Sequence, residues 1–483
     1  MHLRHAASLI VGLAVVSTTV SEPRAHTQST AETEAVSAWL SRSAIRLKSL
    51  EAGHGADDLQ PLTSILAGVR IVGLGEGTHG TREFFQVRHR LIEFLVTHMG
   101  FTVLVMEGGY GASLAVNDYV LYGRGDLNRA LAKFGAWTWD TDEVRRLIEW
   151  MRAYNSSVPE SSKVRFLGYD PDLDPKTGEV VTSYLERVAP DHVEVAETAM
   201  RPLLSEPEID VDLAVTLPNN GRPERRESET AAIRDRLDRL LQYFVANESE
   251  FTKRTSGAEF EQALHCVRTI KQYDEIFGRT WFSAADPMNS GLALRDIYTA
   301  DNVKRFLTHA PQARMVVWAH NGHVATGPIV PSVPSLGSYL RNAYGNEYYA
   351  VGAAFDQGSF QARNLDPDDA RYGAVQEFTV GPAVRGMAEW YLGRAGLQNF
   401  FVDLRSVRQA AAVAAWLRSP VEMRHTLGAG YSSKWPRSVY TRRIVLKDYY
   451  DGLVFVSRTS RAQPNPSGVR GPLRRPVSPA KRR

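Results

Sequence analysis

A chain of 483 residues, 43% hydrophobic and 23% charged, has the composition of a globular protein with a large buried core and excludes a disordered or low-complexity one. The formal net charge of +3 conceals an asymmetry: residues 461–483 hold seven Arg or Lys and no acid, so the rest is net acidic and no nucleic-acid partner is expected. A single cysteine, Cys266, excludes an intramolecular disulfide and a thiolate zinc site, and its helical setting reads as a small buried residue.

In chain order, residues 1–26 carry a short basic start and an apolar run of about a dozen residues, the pattern of a secretory signal peptide rather than a spanning helix. The expectation is export, periplasmic or secreted, with no stable membrane span after signal removal. Apolar runs rich in Val, Ile, Leu and Phe then mark strands at 69–75, 102–106, 163–168, 314–319, 348–355, 400–404 and 452–457. They do not alternate with polar residues, as in strands covered on both faces. Helical patterns at 83–98, 112–122, 142–154 and 179–188 fall between several of them. This order predicts an α/β fold, a mostly parallel sheet flanked by helices.

Between about 190 and 312 the strand signal vanishes, and 227–251, 257–277 and 291–309 carry helical periodicity. The expected organisation is an α/β catalytic domain in two parts, 30–190 and 313–460, separated by a helical insertion or lobe at 191–312. A disordered basic tail is expected over 461–483.

Ligands of such sheets bind at the carboxyl ends of strands. After the first strand come Glu76 and His79, in GLGEGTHGT; after the second, Glu107; after the third, Asp170; after the fourth, His320 and His323, in AHNGH. That four strands each end in an acid or a histidine points to one titratable site. In the helix 83–98, Phe84, Arg88, Leu91 and Leu95 share a face, so Arg88 lies in the buried stripe and needs anionic partners, for which Glu76 and Glu107 stand nearest in kind. His89 and Arg90 point away and read as surface. The Gly-rich loop contains Glu76, which would repel phosphate, and no G-K-[ST] follows. Ser113 opens a helix without a G-x-S-x-G motif, so water is the better nucleophile. Trp137 and Trp139 either line a substrate cleft or belong to the core.

Histidine beside carboxylates suits general-base activation of water, the carboxylate setting the tautomer. The same His, Glu and Asp residues are also good metal ligands, though no H-E-x-x-H is present.

At these residues the sequence resembles the erythromycin esterase family, through GLGEGTHGTREFFQVRHRLIEFLV, GFTVLVMEGG, WTWDTDEVRRLIEWMRAYN, FLGYD, RDIYTADNV, VVWAHNGHVA and YYDGLVFV. The resemblance spans roughly residues 70 to 456 in order. It implies hydrolysis of a macrolide lactone or related ester by water, without cofactor or covalent intermediate. His79 would be the general base and Glu76 its partner; Arg88 and Glu107 would complete the polar cluster, and His320 and His323 would hold or polarise the carbonyl. The candidate substrate contacts are Asp170, Trp137, Trp139 and Arg295. Tyr298 and Thr299 stand where the family pattern favours Met-Ala, which alters the surroundings of Arg295, Asp296 and Asn302. The competing readings are a metal-dependent hydrolase or peptidase using the same cluster, and a non-catalytic binding protein on this fold.

Overall fold

The computed structural model describes residues 30–206, 222–405 and 411–465. The signal-peptide expectation for 1–26 therefore lies outside the described residues. The strands are β1 (Ile45–Arg46), β2 (Ile71–Glu76), β3 (Val103–Gly109), β4 (Arg165–Asp170), β5 (Met315–His320) and β6 (Tyr348–Asn364). They continue with β7 (Val375–Val380), β8 (Asn399–Asp403), β9 (Pro420–Arg424), β10 (Gly430–Tyr431), β11 (Thr441–Val445) and β12 (Gly452–Thr459). One large sheet runs in the order β1-β8-β12-β6-β2-β5-β3-β4, with β7 and β10 pairing with β6; β9 and β11 form a separate pair. From β12 to β4 along this order every pairing is parallel.

The central strands lack alternation because helices cover both faces. Every residue of β2 and β5 is buried. Val72, Leu74, Val316 and Trp318 join the core beneath the helix Arg82–Met99, whereas Ile71, Met315, Val317 and Ala319 face the core beneath the helices Gly291–His309 and Leu336–Tyr344. The chain leaves β2 toward β3, passing β5, and leaves β5 toward β6, passing β2 in the opposite sense. Adjacent strands whose exits diverge open a crevice at their carboxyl ends, the binding position of open α/β sheets. That crevice lies between Glu76 and His320.

Between β4 and β5 the described residues hold helices and no strand. The helices Pro175–Val188, Val193–Leu204, Glu227–Ala246 and Gly257–Phe277 share a core that includes Leu185, Leu203, Leu237, Phe244 and Ile270. The helical lobe thus begins before residue 191, because the apolar face of Pro175–Val188 packs on the lobe.

Two expectations are corrected. Arg90 is buried and paired with Asp58 at 2.5 Å, and it also donates to the carbonyls of Ser49 and Gly55. The periodicity of its own helix could not reveal a partner some thirty residues upstream. The first five residues of the expected disordered tail, 461–465, lie against the body: Ala462 is fully buried, and its N–H donates to the Gly80 carbonyl at 3.0 Å.

Candidate active site

β2 carries Glu76 to the crevice with its carboxylate on the side of the sheet that holds Trp318. The carboxylate is wholly buried and accepts two hydrogen bonds, from Trp318 Nε1–H at 3.0 Å and from His79 Nδ1–H at 2.7 Å. A proton held on Nδ1 by Glu76 makes Nε2 the basic nitrogen of His79. The His79 side chain keeps 12% exposure. Its ring stands 5.1 Å from that of His320 and meets the edge of Trp139 at 5.9 Å. Gly80, the next residue, sits so close to β6 that a Cβ would lie 2.1 Å from the Gln361 carbonyl oxygen, which fixes the turn after His79.

The second half of the site is built on Arg295, from the helix Gly291–His309. Its Nε and Nη2 donate to the two oxygens of Asp170 at 2.8 and 2.9 Å, and Nη2 also donates to Glu107 Oε1 at 2.8 Å. Nη1 donates to His323 Nε2 at 2.9 Å. His323 is therefore neutral in this arrangement, and its Nδ1–H donates to Asp296 Oδ1 at 2.8 Å. Burial lowers the pKa of His323, but Asp296 and Glu107 outweigh it and lift the balance above the ordinary value. Proton uptake would require Nε2 to leave Arg295 for Glu107 Oε1, 3.5 Å away.

Glu107 sits at an irregularity in the β3–β4 ladder, between Met106 and Gly109. Its Oε2 accepts the His320 backbone N–H at 2.8 Å, which ties the end of β3 to the end of β5. Burial raises the Glu107 pKa, yet His323 (protonated in the acid range where this carboxyl would titrate), Arg295 and the likewise protonated His79 hold it far below the usual carboxylate range. His320 goes the other way: burial, with His79 beside it, drops its pKa well below that of a free imidazole. It is neutral, with Nδ1 accepting from Gly322 N–H and Nε2–H donating to the Leu427 carbonyl, both at 3.3 Å. The Leu427 bond is long for N–H···O, and that donor is weakly held.

The structure brings Glu76, His79, Glu107, Asp170, Arg295, His320 and His323 into one connected group. Arg88 is buried at 2% exposure, as its place in the stripe requires, but neither Glu76 nor Glu107 forms an ion pair with it. Its Nη1 and Nε donate to the carbonyls of Phe84 and Leu74, and its guanidinium lies over the rings of Phe84 and Trp318. Burial lowers its pKa to about 10, against the pull of Glu76. Glu107 goes to Arg295 instead.

Of the expected substrate contacts, Arg295 and Asp170 bind each other, and Arg295 holds the ends of three strands. Trp139 is core: it packs on Phe85 and Trp318, and its indole N–H donates to the Glu107 carbonyl. Trp137 is buried too. Ser113 is buried and donates to the Tyr110 carbonyl at 2.6 Å, and burial pushes up the Cys266 thiol. Among the described residues no group of three or more His, Cys, Asp or Glu is arranged to hold a metal ion.

Three neighbours of the site, Asp172, Trp318 and His425, are not among the sequence candidates, and a fourth, Asp296, is named there only for its place beside Arg295. Asp296 follows Arg295 directly and anchors both His323 and the Leu336 N–H. Asp172, two residues beyond Asp170, caps the helix Tyr110–Tyr122 by accepting from Gly111 and Ala112 at 3.1 and 3.0 Å; burial pushes its pKa up to about 7. Trp318 gave no signal beyond its apolarity. His425, buried and with its pKa dropped to about 3 by burial, lies against Gly322, and no motif marks it.

Fold and site together define a class: a mostly parallel α/β protein with its titratable residues gathered where the strand order reverses, beside a helical lobe. The erythromycin esterase family profile matches residues 96–459, and the chain belongs to that family, a family of hydrolases. The match opens at Val96, past Glu76, His79 and Arg88. The chain is 26% identical over 388 residues to erythromycin esterase type II of Escherichia coli, covering 76% of this chain and 88% of that one. It is 23% identical over 446 residues to the putative hydrolase YbfO of Bacillus subtilis, covering 86% and 90%. The crystal structure of a Bacillus cereus protein superposes with a TM-score of 0.75 at 25% identity, over 89% of this chain and 99% of the other. An erythromycin esterase mutant, EreC in its open conformation, shares the fold at a TM-score of 0.64 and 18% identity, over 85% and 96%.

Proposed function

We propose that the chain hydrolyses an ester, a macrolide lactone or a related one, with His79 as the general base that activates water. The observation that carries the reading is the 2.7 Å bond from His79 Nδ1–H to a wholly buried Glu76, with the neutral His320 ring 5.1 Å away. Glu76 orients the ring and stabilises the imidazolium that forms. His79 Nε2 takes a proton from water as the water oxygen bonds to the acyl carbon. The carbonyl oxygen becomes an oxyanion, for which the weakly held Nε2–H of His320 serves as a neutral donor. The tetrahedral intermediate then collapses, the acyl C–O bond breaks, and the imidazolium returns the proton to the departing alkoxide. The products are a carboxylic acid and an alcohol, joined in one opened chain when the substrate is a lactone.

Arg295 is a positioning residue in this scheme, since its donors already hold Asp170, Glu107 and His323. The 12% exposure of the His79 side chain leaves a way for a small-molecule acyl group to reach it. No described helix is long and apolar enough to cross a membrane. Export to the periplasm or the medium is proposed on residues 1–26 alone, and fractionation of expressing cells tests it. The catalytic reading is tested by incubating the protein with macrolides and simple esters and looking by mass spectrometry for the gain of one water. A protein that binds such compounds and opens none of them would be a binding module instead.

A further inference from the structure

The family match ends at residue 459, and the chain continues along a path that returns to the loop carrying His79. Ser460 accepts the Arg82 N–H at 3.0 Å and donates its own N–H and hydroxyl to the two oxygens of Glu83 at 2.7 and 2.6 Å. Arg461 bridges to Thr81, and its N–H donates to Ser359 Oγ at 3.1 Å. The Gly80 carbonyl then accepts two bonds at 3.0 Å, from Gln361 N–H of β6 and from Ala462 N–H. Farther along, the Gln463 carbonyl accepts from Asp142 N–H at 2.8 Å and Asn465 N–H donates to the Asp140 carbonyl at 3.0 Å. Residues 460–465 thus cross the first turns of two helices, Arg82–Met99 and Asp142–Ser157. They join the residue after His79 to the residue after Trp139, the aromatic set perpendicular to the His79 ring.

We propose that residues 460–465 are a positioning strap that holds the His79 loop against β6 and so sets the place of the imidazole. The inference rests on the reading of His79 as the general base. Gly80 has no side chain to anchor it, and its carbonyl is held from two sides. Release of the strap leaves β6 alone on that carbonyl and frees the Arg82 N–H and the Glu83 carboxylate at the helix start. The ring stays bonded to Glu76 but loses the fixed backbone behind it, and displacements near 1 Å in such sites cost rate of about a hundredfold.

Two variants of the full chain test the strap. Ala462→Pro removes the N–H given to Gly80, and the double variant Ser460→Ala with Glu83→Gln weakens the Ser460 contacts with little steric change. Val469→Pro, beyond the strap, is the control. The expected result for both strap variants is faster amide exchange at Arg82 and a kcat reduced by about ten- to a hundredfold, with KM within about twofold and the control unchanged in each. A shifted His79 titration, followed by NMR, is expected beside it. Normal kcat and an unshifted titration despite fast exchange overturn the proposal, as does exchange at Arg82 unchanged from the parent. If the parent hydrolyses none of the esters, the exchange and the His79 titration still decide the strap, and only the proposed function falls.

Discussion

Glu76 and His320 lie directly opposite each other on neighbouring parallel strands, in the last paired register of β2 and β5. The strand order reverses between these two, so their side chains and the residues that follow share one crevice. Glu107 locks the arrangement by holding the His320 backbone, and Arg295 locks Glu107.

Replacing Glu76 with Gln tests the first pair. The Gln carbonyl can accept from His79 Nδ1–H, but its NH2 then faces the Trp318 indole N–H, donor against donor. Turnover is expected to fall by roughly 10²–10⁴-fold, and stability by about 1–3 kcal/mol. Steady-state kinetics and a urea melt give both numbers.

At Arg88 the ring faces and carbonyls around a buried cation separate size from charge. Arg88→Ala opens a hole beside Leu74 and Val87 and is expected to lose about 2–4 kcal/mol. Arg88→Met fills the space without charge and should stay within about 1 kcal/mol of the parent. Equal losses for the two would mean that the charge itself holds the fold there.

Arg295→Lys replaces a planar fork that serves Asp170, Glu107 and His323 with a point charge. Activity should drop by more than about tenfold and stability by roughly 2–4 kcal/mol, and a Lys variant with parental kinetics would contradict the positioning role.

In the helix Gly257–Phe277, His265 is buried edge-on against Tyr110 and Phe306, with both ring nitrogens lacking hydrogen-bond partners. Burial drops its pKa to about 3. The unfolded chain then binds a proton between about pH 6.5 and 3 that the folded one refuses, so stability falls as pH falls through that window. His265→Phe removes this loss. At pH 4 the variant should exceed the parent by about 2–3 kcal/mol more than it does at pH 7. Melts at the two pH values check it.

Much of this was legible in the sequence, for identifiable reasons. The continuous apolar runs of β2, β3, β4 and β5 are what strands covered on both faces require, and each ends in the residue that the fold delivers to the crevice. Arg88 was found from helical spacing. Its partners were not, because carbonyls and ring faces leave no mark of charge in a sequence. The resemblance made Arg295 a substrate contact, and nothing local shows its actual partners, Asp170 and Glu107, which lie more than a hundred residues away. The strap at 460–465 was hidden for a different reason: Pro and basic residues around it signal disorder, whereas its bonds with Gly80, Arg82, Asp140 and Asp142 join main-chain N–H and C=O groups that any sequence carries.

The most direct measurement exposes the parent and His79→Ala to the same panel of macrolides and simple esters in heavy-oxygen water, with product mass and label position read by mass spectrometry. The parent should yield a product heavier by one labelled water, with the label in the carboxylate, while the variant keeps the parent's melting behaviour and yields none. Turnover by His79→Ala near the parental rate would contradict the account.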